Sequence, residues 1–152
     1  MITTPNANAI LKLFFGQQNQ ITGTNKCYLG LSTSKPNADG SNFTEPDQDS
    51  TGYKRAQINI NVEGAMQYTN MMSVPSEGAI ANEKEITFPE AKQAYSVTHF
   101  GVFGQKEVGT GIPLYTHALT NEDGTSDQTV DVDVNEVLLF RKGALSLEFV
   151  QD

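Results

Sequence analysis

The chain has 152 residues, ten basic and eighteen acidic side chains and a formal charge of −8. A chain of this length makes one domain that buries roughly 70% of the surface its unfolded form exposes, so it needs no disulfide or structural metal to fold. The acidic balance argues against a nucleic-acid backbone or an anionic membrane as partner, and no window approaches the ~20 apolar residues of a membrane helix. Met1-Ile2-Thr3-Thr4-Pro5 lacks the basic start and apolar run of a signal peptide, so synthesis in a cytoplasm without signal-directed export is expected.

The first predicted element is a short amphipathic helix. Thr4 suits the N-cap, and Pro5 suits the first helical position, where its missing N–H would be unpaired anyway. Ala7, Ile10, Leu11 and Phe14 follow the i, i+3, i+4, i+7 pattern, and Gly16 stops the helix. Its apolar face must cover something: one end of the domain, or a neighbouring subunit. Residues 1–25 therefore read as a helix and polar connector belonging to the same unit as a single β-domain over 26–152.

From Lys26 the pattern changes to period two. Cys27, Leu29 and Leu31 alternate with Lys26, Tyr28 and Gly30, which makes Cys27 a small buried hydrophobe rather than a nucleophile. A loop rich in Pro, Gly, Asn and Asp follows. From Tyr53, the residues Ala56, Ile58, Ile60 and Val62 form one face, and Arg55, Gln57, Asn59 and Asn61 form an amide-rich face that is solvated or meets a partner.

Residues 64–82, with Met66, Tyr68, Met71 and Met72, show no firm period. Glu85–Phe88 is a short strand stopped by Pro89. Tyr95–Phe103 is the most apolar stretch and reads as one central strand. Further strands are expected over Ile112–Thr120, Thr129–Val134 (Val130, Val132 and Val134 inward), Val137–Phe140 and Leu145–Phe149, separated by Gly-rich and Asn/Asp turns. Seven or eight regularly spaced strands indicate an all-β fold, an antiparallel β-sandwich of jelly-roll type with one short N-terminal helix; a barrel satisfies the same periodicity.

Chemistry is sparse. His99 lies in the most apolar strand and His117 between Tyr115 and Leu119, so both read as packing or surface residues rather than bases. Asn37-Ala38-Asp39-Gly40 resembles part of a calcium loop, but that register puts Lys35 first and Pro46 twelfth, where an acid is required. The turn at Asp123-Gly124 fails in the same way, with Leu119 first and Val130 twelfth. Asp127, Asp131 and Asp133 could hold calcium weakly with loop carbonyls, but a solvated strand face is the reading that outweighs it. No catalytic residue, cofactor or metal site is expected. Asn42-Phe43-Thr44 matches a glycosylation sequon, an accidental match in a chain without a signal peptide.

The motifs Tyr28-Leu29-Gly30-Leu31-Ser32-Thr33, Pro36-Asn37-Ala38-Asp39-Gly40-Ser41-Asn42, Glu45-Pro46 and Gly52-Tyr53-Lys54-Arg55 resemble the opening of a family of small bacteriophage virion proteins, tail-fibre-like or head-decoration-like. Ile86-Thr87-Phe88-Pro89-Glu90-Ala91, Val97–Phe103, Gly109–Tyr115 and Phe140–Leu145 continue that pattern. The resemblance implies a non-enzymatic virion protein, made in the host cytoplasm, that contacts other capsid or tail proteins and forms a homo-oligomer. Ile10, Phe14, Phe15, Tyr28, Asn37, Asp39, Phe43, Tyr53 and Tyr68 are the candidate interface residues. The alternative is a carbohydrate-binding module acting in host-surface recognition, with Tyr28, Tyr53 and Tyr68 as exposed aromatics beside the 33–52 loop. That loop is expected to be a contact loop held at its ends by Leu31 and Tyr53, and dispensable for folding.

Overall fold

A computed structural model of the chain describes residues 1–17, 26–61, 68–70, 72–73 and 76–148. Helix α1 is Thr4–Phe14, strand β1 Lys26–Ser32, and the short helix α2 Gln48–Thr51. The strands β2 Ala56–Asn61, β3 Tyr68–Asn70, β4 Ala79–Ala81 and β5 Ile86–Thr87 follow. Then come β6 Tyr95–Val97, β7 His99–Phe103, β8 Tyr115–Ala118, β9 Val130–Val132, β10 Leu139–Phe140 and β11 Ser146–Glu148. Every paired strand among the described residues is antiparallel. Among the described residues the fold is therefore all-β apart from these two helices.

The main sheet has the order β3-β2-β1-β7-β8, and three two-stranded sheets, β10-β5, β11-β4 and β6-β9, accompany it. An isolated antiparallel bridge between Ile2 and Tyr115 lays residues 1–3 along the β8 edge. A register shift between Cys27 and Tyr28 bulges the β1–β2 pair.

Side chains alternate across the sheet, and the two faces have different cover. One carries Leu29, Leu31, Phe100, Val102 and Tyr115 into a core shared with Ile86, Phe88, Val97, Val132, Leu138, Phe140 and Leu145 from the small sheets and their flanks. Aromatic rings run through this core. Tyr53 stacks on Phe88 with ring centres 6.0 Å apart, Phe88 tilts against Phe140 at 6.4 Å, and Phe140 meets Phe100 edge-on at 6.1 Å. Such pairs add to the area they bury. Beneath the β10–β5 end, Asn82 is 2% exposed. Its amide nitrogen donates to the carbonyls of Lys84, Phe140 and Arg141, and its carbonyl oxygen accepts from the Leu145 amide, so one side chain ties the two ends of the 141–145 turn together.

Several expectations are corrected. The stretch Tyr95–Phe103 is two strands, because the chain changes sheet at Thr98: β6 pairs with β9, whereas β7 pairs with β1 and β8. The Thr98 amide donates to the Ser32 carbonyl, and its carbonyl accepts from the Leu119 amide, which fixes the crossover. Val134 is 52% exposed rather than inward, since β9 ends at Val132 and the chain turns through Asn135 at φ 68. The region 64–82 contributes β3 and β4; its Met66 and Met71 lie outside the described residues.

His99 is half-buried, and its Nδ1 lies 2.8 Å from the Thr98 hydroxyl. Burial lowers its pKa below 6.5, against the opposing pull of Asp127. A depressed folded pKa means the unfolded chain takes the proton first, so stability is full above pH 6.5 and declines as the pH falls towards the folded value. In urea melts, wild type is expected to lose stability below this point faster than His99→Gln; parallel pH profiles would contradict it.

Candidate functional site

The sheet face opposite the core is covered by the 33–52 loop rather than by a second sheet. Its first half zips up on itself. The Thr33 amide donates to the Thr44 carbonyl at 2.8 Å, the Ser34 hydroxyl to the Asn42 carbonyl at 2.7 Å, and the Asn37 amide to the Ser41 carbonyl at 2.9 Å. Ser32 Oγ, wholly buried, donates to the Ser34 carbonyl and accepts from the Thr44 amide. Asp39 Oδ1 accepts from both the amide and the hydroxyl of Ser41, which holds its carboxyl below the ordinary range. The second half is α2. Asp47 caps it by accepting from the Ser50 amide, and Gly52 ends it in the left-handed region at φ 75.

Glu45 and Arg55 fasten the loop to the sheet. Arg55 Nε and Nη2 donate to the two carboxylate oxygens at 2.9 Å each, a bidentate pair with side chains only 1% and 3% exposed. The remaining capacity is also used. Glu45 accepts from the Tyr53 hydroxyl and the Gly109 amide, and Arg55 donates to the carbonyls of Gln105 and Thr110. The guanidinium sits 3.6 Å from the Phe103 ring centre, and Phe43 meets the same ring edge-to-face at 5.0 Å. Tyr53 Oη also accepts from the Leu31 amide at 2.8 Å, so Leu31 and Tyr53 do clasp the two ends of the loop. Burial pushes the Tyr53 phenol up, and the Glu45 carboxylate adds to this.

Two glycines admit this cover. Gly30 and Gly101 face each other across β1 and β7. A Cβ at Gly101 would lie 2.6 Å from Phe43 Cε2, and one at Gly30 would lie 2.9 Å from both Glu45 Oε1 and Phe103 Cε2. Neither of the latter atoms has slack, so Gly30→Ala is expected to cost roughly 1–3 kcal/mol. A urea midpoint equal to wild type would show that the loop yields instead.

Helix α1 rises from the same end. Its N-cap residue is Thr3 rather than Thr4, and the Thr3 hydroxyl does not cap. It donates instead to the Pro113 carbonyl at 2.7 Å, while the Thr3 amide donates to the Leu114 carbonyl and the Thr4 amide to the Ala38 carbonyl. The root is thus bound to β8 and the loop, but no residue of the helix is buried. Phe14 is 82% exposed and Phe15 69%, with Leu11 and Leu13 exposed beside them. Ala7 and Ile10 are half-buried, so the part of the apolar face left uncovered among the described residues is its C-terminal end, Leu11 and Phe14. No helix among the described residues is long and apolar enough to cross a membrane.

Between helix root, loop and Gly-rich turn lies a cleft of about 360 Å³, lined by Pro5, Asp39, Asn42, Phe43, Ile112 and Phe103 among others. The candidate interface residues divide accordingly. Ile10 and Phe14 are on the helix and Phe15 is its C-cap, Asn37 is exposed in the loop, and Asp39 and Phe43 line the cleft. Tyr28 and Tyr53 are not the exposed aromatics expected. They are 7% and 1% exposed, because the loop roofs the face carrying Tyr28 and Tyr53 turns into the core. The side chain of Tyr68 lies outside the described residues. The loop is not an appendage either, since it supplies Glu45, Phe43 and the buried Pro46 to the sheet. Sequence reading missed Glu45, Arg55, Gly30 and Gly101; the one available signal was a glycine in each of two apolar strands, which marks close approach of another segment.

These features define a structural scaffold: a β-rich body, an internally braced loop and a helix whose apolar C-terminal end is uncovered. The family model described as Podophage GP4 fiber I protein gp80 matches residues 1–146, and the chain belongs to that family of phage fibre proteins. Its role is accordingly that of a phage structural protein. No curated protein matches the chain.

Proposed function

We propose that the chain is a non-enzymatic component of a phage fibre rather than a decoration of the capsid shell, with its strands arranged as a jelly-roll-like sandwich. In this reading the N-terminal helix docks on other virion proteins, and repeated copies of the chain assemble side by side. The observation that carries it is the exposed stripe of Leu11, Phe14 and Phe15 on a helix whose root is firmly bound. Contiguous apolar surface of this kind marks a protein contact. The charge pattern agrees: the first carboxylate of the chain is Asp39, so the helix meets an acidic partner without repulsion. Repetition lets each contact be weak while the assembly holds.

Both histidines have structural engagements. His99 pairs with Thr98, and His117 stacks on Phe100 and lies 2.8 Å from the Ala118 carbonyl. The test is mass spectrometry of purified particles with immunogold labelling. The expected result is the chain in particles and gold on projecting fibres. Absence from the particles, or gold over the capsid shell, would overturn the reading.

A further inference from the structure

We infer that the cleft beside the helix root is a binding site for an uncharged sugar ring. This goes beyond the fibre reading and does not depend on where the chain sits on the particle. At about 360 Å³ the cleft lies at the low end of the roughly 300–1,000 Å³ typical of ligand sites, room for one or two rings.

Its electrostatics select against anions. Arg55 is the cation in the floor, but Glu45 takes it bidentately and two backbone carbonyls take further guanidinium hydrogens, so no positive charge is left over for a phosphate or carboxylate. Asp39 adds a negative charge at the rim, where it is exposed. Asp39 Oδ1 is committed to Ser41, which leaves Oδ2 as an acceptor. Asn42 donates through Nδ2 to the Lys35 carbonyl, which leaves Oδ1 as a second acceptor. Two acceptors on neighbouring loop positions suit hydroxyl donors.

The walls supply the other half of the chemistry. The half-buried Phe43 ring and the exposed Ile112 are apolar. They meet the demand of a ligand with an apolar C–H face and a hydroxylated edge, the two surfaces that a pyranose combines in one ring. The walls are also fixed before any ligand arrives. Gly40 packs against Ile112 so closely that a Cβ would lie 2.8 Å from its Cγ2, and Phe43 is seated over Gly101. Preformed walls lower the ordering cost of binding. Recognition thus moves from Tyr28 and Tyr53, which are buried, to Asp39, Asn42 and Phe43.

The test titrates the purified chain with glucose, galactose, mannose and N-acetylglucosamine, with glucuronic acid as the anionic control, and follows backbone amides by NMR. At least one neutral sugar is expected to shift the amides of Asn42, Gly109 and Gly111 in the millimolar range. Asp39→Ala is expected to weaken it about tenfold, with the amide spectrum away from the 37–42 turn unchanged as the check on folding; Ile112→Trp, which fills the mouth, should abolish it. No shift with any neutral sugar, equal binding of glucuronic acid, or undiminished binding by Asp39→Ala overturns the inference. Incorporation into particles is measured separately, so its failure bears on the fibre reading alone.

Discussion

Arg55→Met is expected to lower the stability of the fold by about 3–5 kcal/mol, because it leaves the Glu45 carboxylate buried without its cation. Methionine keeps the aliphatic stem over Phe103 and removes only the charged fork. What is lost is specific: two charge-assisted bonds to Glu45, and the donors that hold the Gln105 and Thr110 carbonyls. The loss compares with a total of roughly 5–15 kcal/mol for a domain of this kind, so the variant should sit near its unfolding threshold at room temperature. Urea titration with both fluorescence and circular dichroism reads it. The double variant Arg55→Met with Glu45→Gln is expected to recover part of the loss, since no charge is then stranded. A midpoint within experimental error of wild type for the single variant would show that Glu45 reaches water once released.

Phe88→Ala is expected to cost about 3–5 kcal/mol, through lost burial and the cavity left behind. Phe88 is 2% exposed and lies between Tyr53 and Phe140, so it joins the end of the long loop to the small β10–β5 sheet. Its amide also donates to the Leu138 carbonyl, so the backbone there is held and has little freedom to collapse into the gap. Thermal unfolding by calorimetry reads this effect, and a loss under 1 kcal/mol would mean that the neighbouring rings close over the hole. The two substitutions act on opposite faces of the main sheet. Their effects should add, apart from the coupling carried by Tyr53, which touches both Glu45 and Phe88.

The strands that alternate cleanly were legible because half-buried strands impose that alternation. Ala56 to Ile58 and Val130 to Val132 are examples; Cys27 to Leu31 keeps the alternation in sequence although both of its faces are buried. The break at Thr98 was not legible: both strands are apolar on either side of it, and nothing in a period of two marks a change of sheet. Helix α2 was missed because four residues are too few for a periodic signal. Arg55 was read on an amide-rich face that is solvated or meets a partner; the residues that roof it come from a loop whose path no local pattern encodes. At the candidate site, Ile10 and Phe14 could be read from helical spacing, and the loop with Asn37, Asp39 and Phe43 from composition. That Tyr28 and Tyr53 are interior residues depended on tertiary packing, which a tyrosine's amphipathic side chain does not reveal.

The facing pair Gly30 and Gly101 has a bearing on how the chain selects its own strand alignment. A slip of β1 by one residue against β7 would exchange its two faces and thrust Leu29 or Leu31 into the space taken by Phe43 and Glu45. The loop therefore seats only over one alignment of the two central strands, and the buried ion pair forms only once it has seated. Alignment error is thereby converted into an open loop and a stranded charge, so the connection that covers the sheet also discriminates between right and wrong pairings of the strands beneath it.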